Sequence, residues 1–235
     1  MEAHIQITNL SKVYPMGRER VVALDNVSLT VYRGEICCVL GTSGSGKSTL
    51  LNMIAGLERP SSGKIEINRR SIEKMSETEL VKFRQDYIGF IFQSYNLIPG
   101  LTAVENVAMP LMFRGMEKSK RLEAAKKILN DVSLGDRSSH LPTQMSGGQQ
   151  QRVGIARAFV SNPEIVFADE PTGNLDSKTT KDVMELMVNL SRTHNQTVIL
   201  VTHDPLIASY ADRIVHIIDG KIDSDLINES IVPKT

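Results

Sequence analysis

The chain has 235 residues, enough for one large or two modest domains with a buried core. Its 27 basic and 27 acidic side chains cancel, which excludes a global cationic field of the kind that recruits nucleic acid. No apolar run approaches the roughly 20 residues of a bilayer-spanning helix, and "MEAHIQITNL" lacks the apolar centre of a signal peptide, so a cytosolic chain is expected unless something else holds it at a membrane.

The first seventy residues or so read as strands. "HIQITNL" alternates polar and apolar, "VVALDNVSLTV" is a longer strand-rich run with a turn-like "DN", and "GKIEINR" follows the turn "PSSG". "GEICCVLG" is continuously apolar, as the middle of a buried parallel sheet should be. Its neighbours Cys37 and Cys38 point to opposite faces of a strand and cannot readily pair, which favours two small buried side chains in a reducing compartment. "KSTLLNMIAGLE" reads as a helix with Leu50, Leu51, Ile54 and Leu57 on one face.

From about Ser76 to Arg152 the pattern turns mostly helical, interrupted early by the strand "YIGFIFQ". Ser76 with Glu79, and Thr102 with Glu105, have the spacing of capping boxes that start helices. "RLEAAKKILNDVSL" carries Leu122, Ala125, Ile128, Leu129 and Val132 at helical spacing. After Pro163 the short apolar strands "EIVFAD", "TVILVTH" and "RIVHIID" alternate with a helix over Lys178 to Thr193. Strands alternating with helices predict a parallel α/β core, with the central helical segment inserted into it. The last ten residues, "LINESIVPKT", read as a frayed tail.

"GTSGSGKS", Gly41 to Ser48, fits the phosphate-loop pattern G-x-x-x-x-G-K-[ST] between a strand and a helix. Gly41, Gly44 and Gly46, with Thr42, Ser43 and Ser45 between them, let backbone N–H groups curl round phosphates, and the helix N-terminus adds positive potential. Lys47 supplies a point charge, the Ser48 hydroxyl reaches Mg²⁺, and Thr49 follows in the same turn. A glycine-serine turn alone does not call for a lysine in that register. Asp169 ends an apolar strand, where a parallel sheet presents ligand-facing groups, and suits a Mg²⁺-positioning carboxylate. Glu170 beside it points elsewhere and is the candidate for polarising an attacking water.

"MSGGQQQRVGIARAF" followed by "PEIVFADEPTGNLD" resembles the signature helix, Walker B strand and D-loop of an ATP-binding cassette (ABC) ATPase. The similarity runs from Ile5 to about Asp223, with several motifs in the family's order and spacing. It implies a phosphate-loop NTPase fold of the ABC-ATPase kind: a RecA-like parallel-sheet core, an N-terminal antiparallel β subdomain and an inserted α-helical signature subdomain. On that basis residues 1–235 form one domain. About 1–92 and 153–225 are core with the β subdomain, about 93–152 are the helical subdomain, and 226–235 are the tail.

The resemblance also implies roles. Ser146, Gly147, Gly148 and Gln149 stand where the family's signature motif caps the ATP held by a partner subunit. Met145 replaces the usual Leu, a swap that keeps volume. Ser146 has the chemistry of an N-cap and the glycines that of close backbone approach to a γ-phosphate, whereas a cap alone does not call for two glycines. Gln93 matches the Q-loop residue that senses Mg²⁺ and the attacking water, His203 the switch histidine on the γ-phosphate, and Asp176 the D-loop aspartate. Tyr14 matches the aromatic that stacks on adenine. The implied cofactors are ATP and Mg²⁺.

"FQSYNLIPGLTAVENVAMPL" and "DEPTGNLD" resemble the branch serving macrolide export, lipoprotein release and cell division, the MacB, LolD and FtsE types. This implies an ATP-dependent homodimer bound to an integral membrane permease at the inner face of the cell membrane, through Tyr95 to Pro110, and no nucleic-acid partner. An alternative is a soluble ABC-type ATPase working on nucleic acid or ribosomes, but coiled-coil insertions and a second cassette are both missing. A small-molecule kinase on the same scaffold would leave the signature helix, Asp176 and His203 without work.

Overall fold

The computed structural model describes residues 2–17 and 19–228. Strand β1 (Ala3–Met16) pairs antiparallel with β2 (Glu19–Tyr32) along almost its whole length. Both are longer than their alternating patterns indicate, because asparagines absorb irregularities in mid-strand. Asn9 and Asn26 have φ 48° and 55°, a left-handed conformation that asparagine tolerates well. Their amides donate to Ser28 Oγ and Ser11 Oγ, each at 2.9 Å. The turn expected at "DN" is therefore a bulge inside a continuous strand.

Strand β3 (Ile36–Leu40) is buried at every position, so its continuous apolar run has the expected cause. Cys37 and Cys38 are both buried and not disulfide-bonded, and burial pushes the Cys37 thiol well above its ordinary pKa. Helix α1 (Lys47–Ile54) buries Leu50, Leu51 and Ile54, but Leu57 lies past its end and is exposed. Strand β4 (Ser62–Ile67) joins β1, and the two-residue β5 (Arg70–Ser71) completes an antiparallel sheet in the order β2-β1-β4-β5. Helix α2 (Glu77–Tyr87) starts on the expected box: the Ser76 amide donates to Glu79 Oε2 at 2.8 Å.

Two compact units divide the chain: one holds residues 1–84 and 197–235, the other 85–196. In the second, β6 (Ile88–Phe92) pairs in parallel with β7 (Ile165–Asp169). Between them in sequence come α3 (Ala103–Phe113), α4 (Lys118–Asp131) and α5 (Gly147–Phe159), and α6 (Ser177–Thr193) follows β7. The Thr102–Glu105 box caps α3 reciprocally. Within α4, Ala125, Ile128 and Leu129 are buried, as their spacing requires. A fully buried aliphatic side chain contributes about 1.5–3 kcal/mol over an exposed one, so these stripes fix which helix faces meet.

The first unit resumes with β8 (Thr197–Thr202), the short α7 (Pro205–Ala208), β9 (Arg213–Ile218) and β10 (Lys221–Ile227). Strands β8 and β9 run parallel to β3 on either side, and β10 returns antiparallel to β9. The tail expected over 226–235 begins inside this hairpin. Leu226 and Ile227 pair with Ile214 and Arg213, and the Asn228 side chain donates through Nδ2 to the Ser209 and Ala211 carbonyls. Residues 229–235 of that expectation lie outside the described residues.

Candidate functional site: a phosphate loop and a capped signature helix

In the first unit the loop from Gly41 to Gly46 joins the C-terminal end of β3 to α1. Strand β8 lies beside β3 with Thr202 opposite Leu40, so His203, which is exposed, leaves the sheet at the same edge. That carboxyl edge is where parallel sheets collect ligand groups. The Gly41 amide donates to the Thr202 carbonyl at 3.3 Å, and the Ser45 carbonyl accepts from Gly220 at 3.0 Å, so strand β8 and the β9–β10 turn brace the loop.

Gly46 is the N-cap of α1, at φ 102° and ψ 0°. A methyl group there would lie 2.4 Å from the Ala23 carbonyl oxygen, so both conformation and space demand glycine. The first bond of the α1 ladder runs from the Leu50 amide to the Gly46 carbonyl. The amides of Lys47, Ser48 and Thr49 therefore precede the ladder, and α1 has no side-chain cap and no acidic first-turn residue. Such an end attracts anions.

Thr42, Ser43, Gly44 and Ser48 are exposed, whereas Ser45 and Lys47 are buried. Lys47 Nζ donates to the Thr42 carbonyl at 2.7 Å, curling the ammonium over the loop backbone. Ser45 Oγ is buried with no hydrogen-bond partner among the described residues. Donor amides, an ammonium and an unsatisfied hydroxyl on one loop form a donor set suited to a polyphosphate.

Tyr14, on β1, donates its hydroxyl to Glu58 Oε2 at 2.7 Å, and Lys12 Nζ sits 5.0 Å from its ring centroid. Burial, and then Glu58, raise the phenol above its ordinary pKa, while the Thr49 side chain acts oppositely on the same hydroxyl. Tyr14 thus stands beside the first turn of α1 as a neutral ring. Lys12 also pairs with Glu58 at 2.9 Å. Burial opposes ionisation of Glu58, but the hydrogen bonds from Lys12 and Tyr14 outweigh it and lower its pKa.

The second unit gathers the other predicted residues. Phe92 on β6 lies opposite Asp169 on β7, so Gln93 and Glu170 leave their strands at one edge. Gln93 is exposed, its carbonyl accepts from Asn174 Nδ2 at 3.0 Å, and its amide packs over Gly173. Asp169 is half-buried. Glu170 adopts φ 47°, a left-handed conformation rare for a non-glycine residue and invisible in the sequence.

Ser146 caps α5 in a reciprocal box. Its Oγ accepts from the Gln149 amide at 3.3 Å, and its own amide donates to Gln149 Oε1 at 3.0 Å. The S-x-x-Q spacing already carries that signal. Met145, just before the cap, is buried. Both glycines have packing partners within the unit, a reason that sequence reasoning missed. A methyl group on Gly147 would come 2.8 Å from Tyr95 Oη, and one on Gly148 would come 2.4 Å from Thr179 Cγ2. Asp176 is the N-cap of α6, accepting from the Lys178 and Thr179 amides at 3.1 and 3.0 Å and from the Thr179 hydroxyl at 2.6 Å. The Thr179 methyl over Gly148 thus links the Asp176 cap to α5.

Further residues emerge only in three dimensions. Tyr95 and Asn96 are both left-handed, at φ 60° and 49°, and Arg157 of α5 donates to their carbonyls at 2.8 and 2.5 Å. On the helical side of the unit, Leu101, Met109, Met112, Phe113 and Leu122 line an apolar groove of about 340 Å³ beside Glu105 and Arg121. No cluster of three or more His, Cys, Asp or Glu suited to a metal occurs among the described residues, and no described helix is long and apolar enough to cross a membrane.

Comparison with known proteins identifies the family. Residues 24–173 match the family described as ABC transporter. The chain is 46% identical over 224 residues to the macrolide export ATP-binding/permease protein MacB of Burkholderia pseudomallei, covering 95% of this chain and 34% of that protein. The MacB of Burkholderia thailandensis is 45% identical over 97% of this chain and 35% of that protein. The chain therefore spans about a third of the length of these curated relatives. Among solved structures, the dimeric post-hydrolysis state of the ATP-binding cassette MJ0796 bound to ADP and Pi superposes with a TM-score of 0.88 at 42% identity, covering 95% of this chain and 98% of that one. A second dimeric structure of MJ0796, described as a bacterial ABC transporter cassette, gives the same TM-score at 43% identity. With its phosphate loop, its capped helix α5 and these relatives, the chain belongs to the ABC transporter family.

Proposed function

We propose that two copies of this chain close around two ATP molecules and drive an integral membrane permease, most directly in export. Each ATP is held by the Lys47 loop of one subunit and capped by the Ser146 helix of the other, so nucleotide favours the closed dimer through contacts that only this state makes. Carrying this reading is the start of α1, where Gly46 opens three first-turn amides and Lys47 stands beside them. The dimeric cassettes of MJ0796 support the paired arrangement.

Ser48, Asp169 and Gln93 are the residues that would hold Mg²⁺, consistent with the ion's habit of taking few protein ligands together with phosphate oxygens and water. When bound, the ion neutralises charge on the phosphates. Glu170 accepts the proton of the attacking water and His203 steadies the γ-phosphate. Gly41 to Thr49 wrap the phosphates, with Thr42, Ser43 and Gly44 on the outer curve. Tyr14 stacks on adenine with the ring face away from Lys12. Gly147, Gly148 and Gln149 complete the cap with Ser146, and Asp176 communicates across the dimer. The apolar groove of α3 and α4 takes the permease's cytosolic helix, bringing the cassette to the inner face of the membrane. Its exposed Met112 and Phe113 fit such a partner better than they fit water.

Glu170→Gln tests the cycle. This variant should bind ATP, hydrolyse it about 10²–10⁴-fold more slowly and run as a dimer on size exclusion in ATP. A variant that stays monomeric in saturating ATP, with Mg²⁺ or Na⁺ present, overturns ATP-driven closure.

A further inference from the structure

The turn that carries Glu170 is held from another helix. Glu170 is left-handed, at φ 47°, and Pro171 follows it. Residues before proline favour extended backbone, so this one is doubly unfavourable and persists only if its surroundings over-determine it. One restraint is local: the Gly173 amide donates to the Glu170 carbonyl at 3.1 Å. Another comes from α5, where the side-chain amide of Gln151 donates to the Pro171 carbonyl.

Gln151 is completely buried. Its Oε1 is buried too, with no hydrogen-bond partner among the described residues, against the open side of Gly154. A buried carbonyl oxygen left unpaired costs more than one amide bond returns. A methionine of similar volume would trade the unpaired Oε1 for an unpaired Pro171 carbonyl, so stability alone gives glutamine no clear advantage here. What glutamine adds is an N–H aimed at the peptide immediately after Glu170.

We infer that Gln151 is a positioning residue for ATP hydrolysis: by fixing the carbonyl of Pro171 it holds Glu170 in its left-handed turn and so aims the carboxylate. The inference rests on the reading of Glu170 as the group that polarises the water. Gln151 lies five positions beyond the Ser146 cap on the same helix, so the helix that closes a partner's nucleotide also orients the glutamate of its own subunit.

The test is MgATP turnover by the full chain carrying Gln151→Met, normalised to folded protein. Methionine keeps the volume, removes the N–H and abolishes the unpaired oxygen. The expected result is a kcat about tenfold to a hundredfold lower, with the KM for ATP unchanged and the melting temperature close to that of wild type, since one unpaired acceptor replaces another. A wild-type kcat overturns the inference, and so does a loss that merely follows a lowered melting temperature.

Gln151→Glu gives a readout that packing alone does not move. Burial raises the pKa of the new carboxyl. Ionised, it has no donor for Pro171; protonated, it regains one. Its turnover relative to wild type should therefore rise as pH falls, and a ratio that is flat with pH counts against the inference. Glu170→Gln is the control. If it is inactive while Gln151→Met turns over normally, only this inference fails; if it stays active, the reading beneath it fails as well.

Discussion

Two helices of this cassette open at a glycine and serine stretch, and in sequence their openings look like variants of one anion grip. Their structures differ in kind. Helix α1 opens on a left-handed glycine with no side-chain cap, so its first-turn amides point out of the helix with nothing intrahelical to take them. Helix α5 opens on Ser146, which satisfies its own end through Gln149, and packs its two glycines against Tyr95 and Thr179. The first end is shaped for a ligand. The second has its Gln149 amide taken by its own cap and holds the Gly147 and Gly148 amides on a braced turn, which suits a motif that closes over a nucleotide already held elsewhere. A glycine next to a serine is thus an ambiguous signal until its backbone angles and neighbours are known.

Breaking α1 should have the larger effect. Gly46→Ala forces an alanine into a left-handed conformation that costs about 1–2 kcal/mol, and its methyl meets the Ala23 carbonyl oxygen at 2.4 Å. A total of about 2 kcal/mol or more corresponds to a fall of roughly 4–8 °C in melting temperature for a chain of this size. Nucleotide affinity should fall with it, because the three first-turn amides lose their aim. Wild-type affinity by titration calorimetry would show that the loop does not depend on this conformation.

Ser146→Ala is the matching change at α5, and it should be milder. Losing an N-cap costs about 1 kcal/mol, or roughly 2–4 °C. The phosphate loop is untouched, so a single chain should bind ATP as before, while ATP-dependent dimerisation in a Glu170→Gln background weakens. If instead Ser146→Ala lowers single-chain affinity as much as Gly46→Ala does, the distinction between the two helix ends collapses.

Local rules made much of this legible. The capping boxes at Ser76 and Thr102 and the buried run Ile36–Leu40 depend on spacing along one segment, and they form as their spacing indicates. The missed features all depend on a second segment. Asp25 and Asn26 read as a turn, but Ser11 on the neighbouring strand takes the Asn26 amide and keeps the strand continuous. Leu57 fits the helical stripe of α1, yet the helix ends at Ile54 and leaves it exposed. The tail vanishes into β10 because Leu226 and Ile227 find partners on β9. At the site the residue types were readable, but the left-handed Glu170, the reach of Gln151 to Pro171 and the packing of Gly148 on Thr179 were not. Each is set by a contact with a different element.

The cap of α6 offers the subtlest separation, because it is ionic where the α5 box is neutral. Asp176 accepts the Thr179 hydroxyl and the amides of Thr179 and Lys178, bonds that hold its carboxyl below the usual aspartate range. A folded pKa below the unfolded value, about 3.9, means that this stabilisation is fully present above the unfolded value. It is lost as pH falls through the folded one. Asparagine accepts the same amide bonds at an N-cap without titrating. Asp176→Asn should therefore match wild type in melting temperature at neutral pH and lose less of it in acid, below about pH 4. Ser146→Ala should shift the whole melting-temperature curve by a constant amount, since neither Ser146 nor Gln149 titrates. Identical acid limbs for wild type and Asp176→Asn would mean that the carboxylate contributes nothing that a neutral cap does not. Thr179 would then stay over Gly148 whatever the charge on Asp176, and the start of α6 would be joined to α5 by packing alone.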